Sequence, residues 1–185
     1  MQRSILVGLA LASILSACVA TPSAPTRPSS TPDRLADLRR PLQATALSSS
    51  GACPIDHGIY AAEFPGSQGF APGVGYVAYG PGPVAPAVMA SPDAAVLSFT
   101  KMPKQDGRAF EKIIWIVAPG TVGPILVRVI AADGSRATFM SGSDLELAGP
   151  GTYPAGYVYF PKPECYTFQV DHSRGTQRIT LSVGP

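Results

Sequence analysis

The chain reads as an all-β protein, an antiparallel sandwich, on three observations. Its 185 residues hold 19 glycines and 20 prolines, while charged residues make up only 14%. That much punctuation suits short strands joined by turns. Apolar and polar residues alternate over short runs, and no stretch of the body keeps a helical period for long. Finally, Pro161-Lys162-Pro163-Glu164-Cys165-Tyr166-Thr167-Phe168-Gln169-Val170-Asp171 sets Tyr166, Phe168 and Val170 on one face of a strand opened by prolines. That face requires a partner sheet.

The chain begins as an export signal. Arg3 supplies a positive start, and Ile5 to Ile14 is an apolar run of signal-peptide length, too short to span a bilayer. It closes with Leu15-Ser16-Ala17-Cys18. This tetrapeptide resembles the lipobox of bacterial lipoproteins in all four positions. The resemblance covers only the first 18 residues. It implies that residues 1–17 are a cleaved signal peptide and that Cys18 is the lipidated first residue of the mature chain. The partner is then a membrane, reached through an N-terminal lipid anchor on the exported side of the bacterial envelope. Several acyl chains on one residue hold firmly where a single chain does not. An ordinary signal with a chance cysteine is the alternative.

Residues 18–50 read as a flexible tether. Val19 to Ser50 contains five prolines, many Ser, Thr and Ala, and no aromatic residue. Such a segment buries too little apolar surface to offset the entropy of ordering. Arg34 to Arg40 is long enough for two helical turns, but too short to be stable alone. Arg34, Arg39 and Arg40 are candidates to touch anionic headgroups.

The body, residues 51–185, carries nine Lys and Arg against ten Asp and Glu. That balance gives no footprint for nucleic acid, which demands clustered positive charge. Strands are expected at 58–64, 76–79, 94–100, 112–118, 125–131, 137–140, 144–147, 156–160, 165–171 and 177–183. Asp133-Gly134 carries hairpin-turn chemistry. In the last strand Ile179, Leu181 and Val183 face one way, and Arg178, Thr180 and Ser182 the other.

The tryptophan strand with Trp115, the Cys165-aromatic strand and the final hairpin resemble an immunoglobulin-like antiparallel β-sandwich. The departure is that Tyr166 follows its cysteine instead of preceding it by two residues. By alternation Cys165 points away from the Tyr166–Phe168–Val170 face, so a bridge there would be a peripheral clasp. A second resemblance, spanning most of residues 51–185, is to secreted and lipid-anchored bacterial proteins of this kind. It rests on Cys53-Pro54, Tyr79-Gly80-Pro81-Gly82-Pro83-Val84, Trp115, Pro119-Gly120-Thr121-Val122-Gly123-Pro124 and Cys165-Tyr166-Thr167-Phe168. It brings no activity with it.

Chemistry is sparse. There is no Gly-x-Ser-x-Gly elbow and no phosphate-binding glycine loop. Both histidines follow an aspartate, in Asp56-His57 and Asp171-His172, but neighbouring strand residues point to opposite faces. With Cys18 assigned to lipid, Cys53 and Cys165 remain, and in an exported chain they are expected to form a disulfide. A zinc site from Cys53, His57, Cys165 and His172 competes with that pairing, and His172 would lie roughly 23 Å from Cys165 along an extended strand. A copper site from Met89, Met102, Met140 and a histidine is no stronger, since scattered methionines usually fill core gaps. No metal and no cofactor are expected.

Tyr157 and Tyr159 share one face of a strand, and Val158 and Phe160 the other. If the Val158–Phe160 side is core, the two tyrosines stand outside and could bind a sugar or a partner protein. The other reading is cross-strand packing on a half-covered sheet. The expectation is therefore a lipid-anchored envelope protein presenting a non-catalytic interaction module. An envelope hydrolase with an unrecognised site and a small-ligand carrier are the rivals. A cleft holding His57 or His172 would favour the first rival, and a sizeable apolar cavity the second.

Overall fold

The computed structural model describes residues 33, 35–70, 75–89, 96–153 and 156–185. The signal peptide, Cys18 and Arg34 lie outside the described residues.

Among the described residues fourteen strands follow in chain order: β1 Gly58–Tyr60, β2 Tyr76–Tyr79, β3 Val84–Met89, β4 Val96–Ser98, β5 Lys104–Gln105, β6 Arg108–Lys112 and β7 Ile114–Val117. They continue as β8 Ile125–Ala131, β9 Thr138–Phe139, β10 Leu145–Leu147, β11 Gly151–Tyr153, β12 Tyr157–Phe160, β13 Glu164–His172 and β14 Gly175–Gly184. Helix among the described residues is confined to the short 3-10 turns Ala36–Leu38 and Ala61–Glu63. The fold is all-β.

The strands form three sheets. The tryptophan sheet runs β1-β2-β3-β7-β11, the hairpin sheet β10-β8-β13-β14-β4, and the tyrosine sheet β5-β6-β12-β9. Every pairing is antiparallel except β14 with β4. Only Ile113 separates β6 from β7, and β12 and β11 pair with them in the same order. The tyrosine and tryptophan sheets therefore share a pair of strands that passes from one to the other. From Lys112 to Trp115 is three residues, while their partners Tyr157 and Tyr153 are four apart. The pairing slips by one residue across the break.

One apolar core lies between these sheets and the hairpin sheet. Val77, Tyr79, Val84, Trp115 and Val117 contribute from one side, and Val127, Val129, Tyr166, Phe168, Val170, Ile179 and Leu181 from the other. The Trp115 ring sits 5.8 Å from Phe168, and Phe160 sits 4.9 Å from Tyr166. The face expected for Tyr166, Phe168 and Val170 is fully buried, as is the Ile179–Leu181–Val183 face to within a few per cent. Burial pushes the Tyr166 hydroxyl up to about 12, and that hydroxyl donates to the Lys162 carbonyl at 2.8 Å. Tyr79 Oη and Trp115 Nε1 are buried without a hydrogen-bond partner among the described residues.

β3, β5, β6 and β11 were not among the expected strands. β3 was obscured by Pro86, since proline argues against a central strand. Its two neighbours nearly avoid overlap: β2 pairs with Ala87–Met89 and β7 with Val84–Ala87, so the pairing with β2 has already ended at Pro86. β5 and β6 are joined by Asp106-Gly107, both in the left-handed region at φ 51° and 75°. That is the two-residue hairpin chemistry of Asp-Gly.

The tether expectation needs correction over its second half. From Asp33 onward the chain belongs to the same compact unit as the body. It lies as a strap against the outer face of the hairpin sheet. Gln43 N donates to Gln169 Oε1 at 2.9 Å and Thr45 N to Thr167 Oγ1 at 2.8 Å. Thr45 Oγ1 also meets Thr180 Oγ1 at 2.9 Å, and Asp56 exchanges two hydrogen bonds with the Thr180 backbone. Alternation places Thr167, Gln169, Asp171 and Thr180 on the side away from the core, where polar residues suit water. Here the strap covers them, and their side chains satisfy its backbone instead. Arg39 and Arg40 are used in the same way. Arg39 pairs with Asp33 and Asp144, and Arg40 Nη1 donates to the carbonyls of His172 at 3.1 Å and Gly175 at 2.9 Å. Both guanidinium groups are thus engaged within the fold.

Cys53 and Cys165 are joined as a disulfide across 112 residues, with Cα atoms 5.4 Å apart. It lies on the strap side, away from the Trp115–Phe168 contact, and pins the strap to the start of β13.

Candidate functional site

Three places gather aromatic or polar side chains: the tyrosine sheet's outer face, the cleft beside His57, and the polar cluster under the strap.

Val158 and Phe160 are fully buried, so the core side of β12 is settled. Tyr157 and Tyr159 point outward, opposite Lys112 and Phe110 of β6. Arg108, Phe110 and Lys112 share that face by alternation, while Ala109 is buried and Glu111 turns inward toward a cavity with Met102. The rings interlock. Phe110 lies 5.2 Å from Tyr157, edge to face, and 5.7 Å from Tyr159. The Arg108 guanidinium sits 4.7 Å over the Tyr159 ring, and Arg108 Nη1 reaches Thr138 Oγ1 at 3.3 Å. The Tyr159 hydroxyl donates to Gln105 Oε1 at 3.1 Å.

The two tyrosines thus differ. Tyr159 is 8% exposed and Tyr157 36%. Cross-strand packing describes Tyr159; Tyr157 stands out from the surface. Met140, 61% exposed, adjoins it through a hydrogen bond from its N–H to the Tyr157 carbonyl at 2.9 Å. The outcome is a strip along β6 and β12 with a cation at each end and three aromatic rings between. Phe110, Arg108 and Lys112 were not singled out from the sequence. The signal for them was Asp106-Gly107, which places β6 and hence its alternation.

His57 lines a cavity of about 430 Å³ with Asp56, Ile59, Phe64, Pro65, Gly80, Pro81, Gly82 and Ala118. The Gly80-Pro81-Gly82 wall presses on β14. A Cβ on Gly82 would meet Gln177 Cδ at 2.1 Å, and one on Gly80 would meet Ile179 Cγ1 at 2.8 Å. Gln177 is held there because its amide bonds the backbone of Val84 in both directions, at 2.8 and 3.3 Å. His57 is exposed, and the Asp56 carboxylate is already engaged by Thr180 N at 2.6 Å. The cavity lining is chiefly apolar, as is usual for small-molecule sites.

The second Asp-His pair divides between faces as expected. Asp171 faces the strap and is fully buried. It accepts from Arg128 Nη2 at 2.6 Å, Thr176 Oγ1 at 2.7 Å and Gln169 Nε2 at 3.1 Å. His172 Nδ1 accepts from Arg174 N at 3.4 Å. Burial, then the charges of Arg40 and Arg174, hold the His172 imidazole below its ordinary pKa. Asp171 is committed to Arg128 and Thr176, so the pair forms no oriented dyad.

The disulfide removes both thiolates of the zinc alternative. Among the described residues no three of His, Cys, Asp and Glu are placed to hold a metal. Met89 and Met102 do line one cavity of about 250 Å³ with Lys101 and Glu111, but neither histidine joins them. Burial raises the Glu111 carboxyl there. Compared with protein-family models, curated proteins and solved structures, the chain matches none.

Proposed function

We propose that the chain is a lipid-anchored protein of the bacterial envelope, carried on Cys18, whose immunoglobulin-like body is a non-catalytic interaction module. The observation that carries the exported setting is the Cys53–Cys165 bridge, a bond that persists in oxidising compartments. The lipobox-like Leu15-Ser16-Ala17-Cys18 supplies the anchor. The aromatic strip centred on Tyr157 is the interaction surface, because it offers an exposed tyrosine ring beside the half-buried Phe110.

The test is fractionation of cells making the Cys18→Ser variant. Loss of lipid-dependent membrane association, with the precursor uncut or the protein released, is the expected result. A serine variant that is processed and stays with membranes through a salt wash would refute the anchor.

A second reading, a small-ligand carrier, is favoured by the His57 cavity of about 430 Å³, which falls within the usual size of small-molecule sites. Ala118→Trp would fill it and abolish any ligand retained on purification.

A further inference from the structure

The strip on the tyrosine sheet has a specific charge pattern. Along β6 the outward residues are Arg108, Phe110 and Lys112, and across from them on β12 stand Tyr159 and Tyr157. Arg108 to Lys112 spans roughly 13 Å along a strand. Between these cations the face carries no carboxylate: Glu111, the one acid of β6, turns inward. The neighbouring strand β9, Thr138–Phe139, adds none. Tyr157 and Phe110 are partly open, and Lys112 is exposed. A ligand matching this surface is elongated, offers flat apolar faces to the rings, and carries negative charge spaced along its length.

We infer that the strip binds an acidic glycan, one whose sugar rings lay their C–H faces on Tyr157 and Phe110 while its carboxylates meet Lys112 and Arg108. This rests on reading the strip as the interaction surface. Charge complementarity favours an acidic glycan over a neutral one. The small number of cations disfavours nucleic acid, whose every phosphate demands neutralisation. An acidic peptide supplies charge but few flat apolar faces. Arg108 already stacks on Tyr159 and bonds Thr138, so it is the preorganised cation; Lys112 is the exposed one.

The experiment is affinity electrophoresis of the full chain in detergent through gels containing polygalacturonate, dextran, poly-glutamate or oligothymidylate. Polygalacturonate should retard the protein, dextran should not, and added salt should weaken the effect. Tyr157→Ala and Lys112→Gln should each weaken retardation about tenfold, the loss of one significant interface contact. Both positions are exposed, so melting temperatures should stay with the wild type. Retardation by poly-glutamate or oligothymidylate that equals polygalacturonate and depends on Tyr157 would overturn the glycan while leaving the surface. Polygalacturonate retardation untouched by either substitution, or no retardation, would overturn the surface with it. Neither result bears on the anchor, which Cys18→Ser tests separately.

Discussion

Replacing Asp171 with alanine should be among the most damaging single changes in the domain. The carboxylate is fully buried and gathers Arg128, Thr176 and Gln169 at 2.6 to 3.1 Å, with Arg40 Nη1 at 3.7 Å. Alanine leaves Arg128, whose side chain is 10% exposed, without its counter-charge. Its Nε already lacks a partner. Breaking a buried pair from one side costs about 3–5 kcal/mol. At about 3 °C per kcal/mol for a domain of this size, the melting temperature should fall by roughly 10–15 °C. The double variant Asp171→Leu with Arg128→Met should recover most of the loss, because an apolar pair of similar volume avoids desolvating two charges. Urea unfolding of the three proteins, followed by tryptophan fluorescence of Trp115, gives the values directly. A single-variant loss below about 1 kcal/mol, the worth of an exposed pair, would refute the burial argument. So would a double variant no better than the single.

Four further outcomes follow from other parts of the fold. Reducing Cys53–Cys165 should lower stability by about 4–5 kcal/mol on the chain-entropy argument for a loop of this length; intact mass after alkylation without reductant should show neither thiol. Because the His172 pKa is lowered in the folded state, the unfolded chain binds more protons below about pH 6.5, so stability should fall as pH drops through that value, and His172→Gln should flatten the slope in a melting series. Gly82→Ala should cost about 1–3 kcal/mol by overpacking Gln177, and Gln177→Ala placed in that background should restore part of it in the same unfolding assay. Tyr79→Phe removes a buried hydroxyl without a partner and should be neutral or stabilising by calorimetry; a loss above about 1 kcal/mol would reveal a hydrogen bond to solvent.

The sequence made the core face of the hairpin sheet legible because β13 and β14 alternate cleanly, and Tyr166, Phe168, Val170, Ile179 and Leu181 are all buried. It did not show what covers the other face. Thr167, Gln169 and Thr180 look like solvent-facing residues, and Pro41 to Ser50 looks like a spacer, yet each satisfies the other. Mutual polar coverage leaves no hydrophobic period to read. At the strip, Tyr157 and Tyr159 were visible as a pair, but their unequal exposure depends on Arg108 and Phe110 from a strand joined on through Asp106-Gly107. The His57 cavity is assembled from separate segments spread over more than 60 residues, so no local pattern announced it.

The strap shortens the leash. Had Val19 to Ser50 all been free, a body held at Cys18 would range to about 110 Å at full extension, counting 32 residues. With the chain joined to the compact unit from Asp33, the same count gives fourteen residues, Val19 to Pro32, and the limit falls to about 50 Å. The volume swept by a tethered body scales as the cube of that radius, so the same molecule searches roughly a tenth of the space. On the proposed anchoring, the body patrols a thin layer next to its membrane, and any partner within that layer meets it at a correspondingly higher effective concentration.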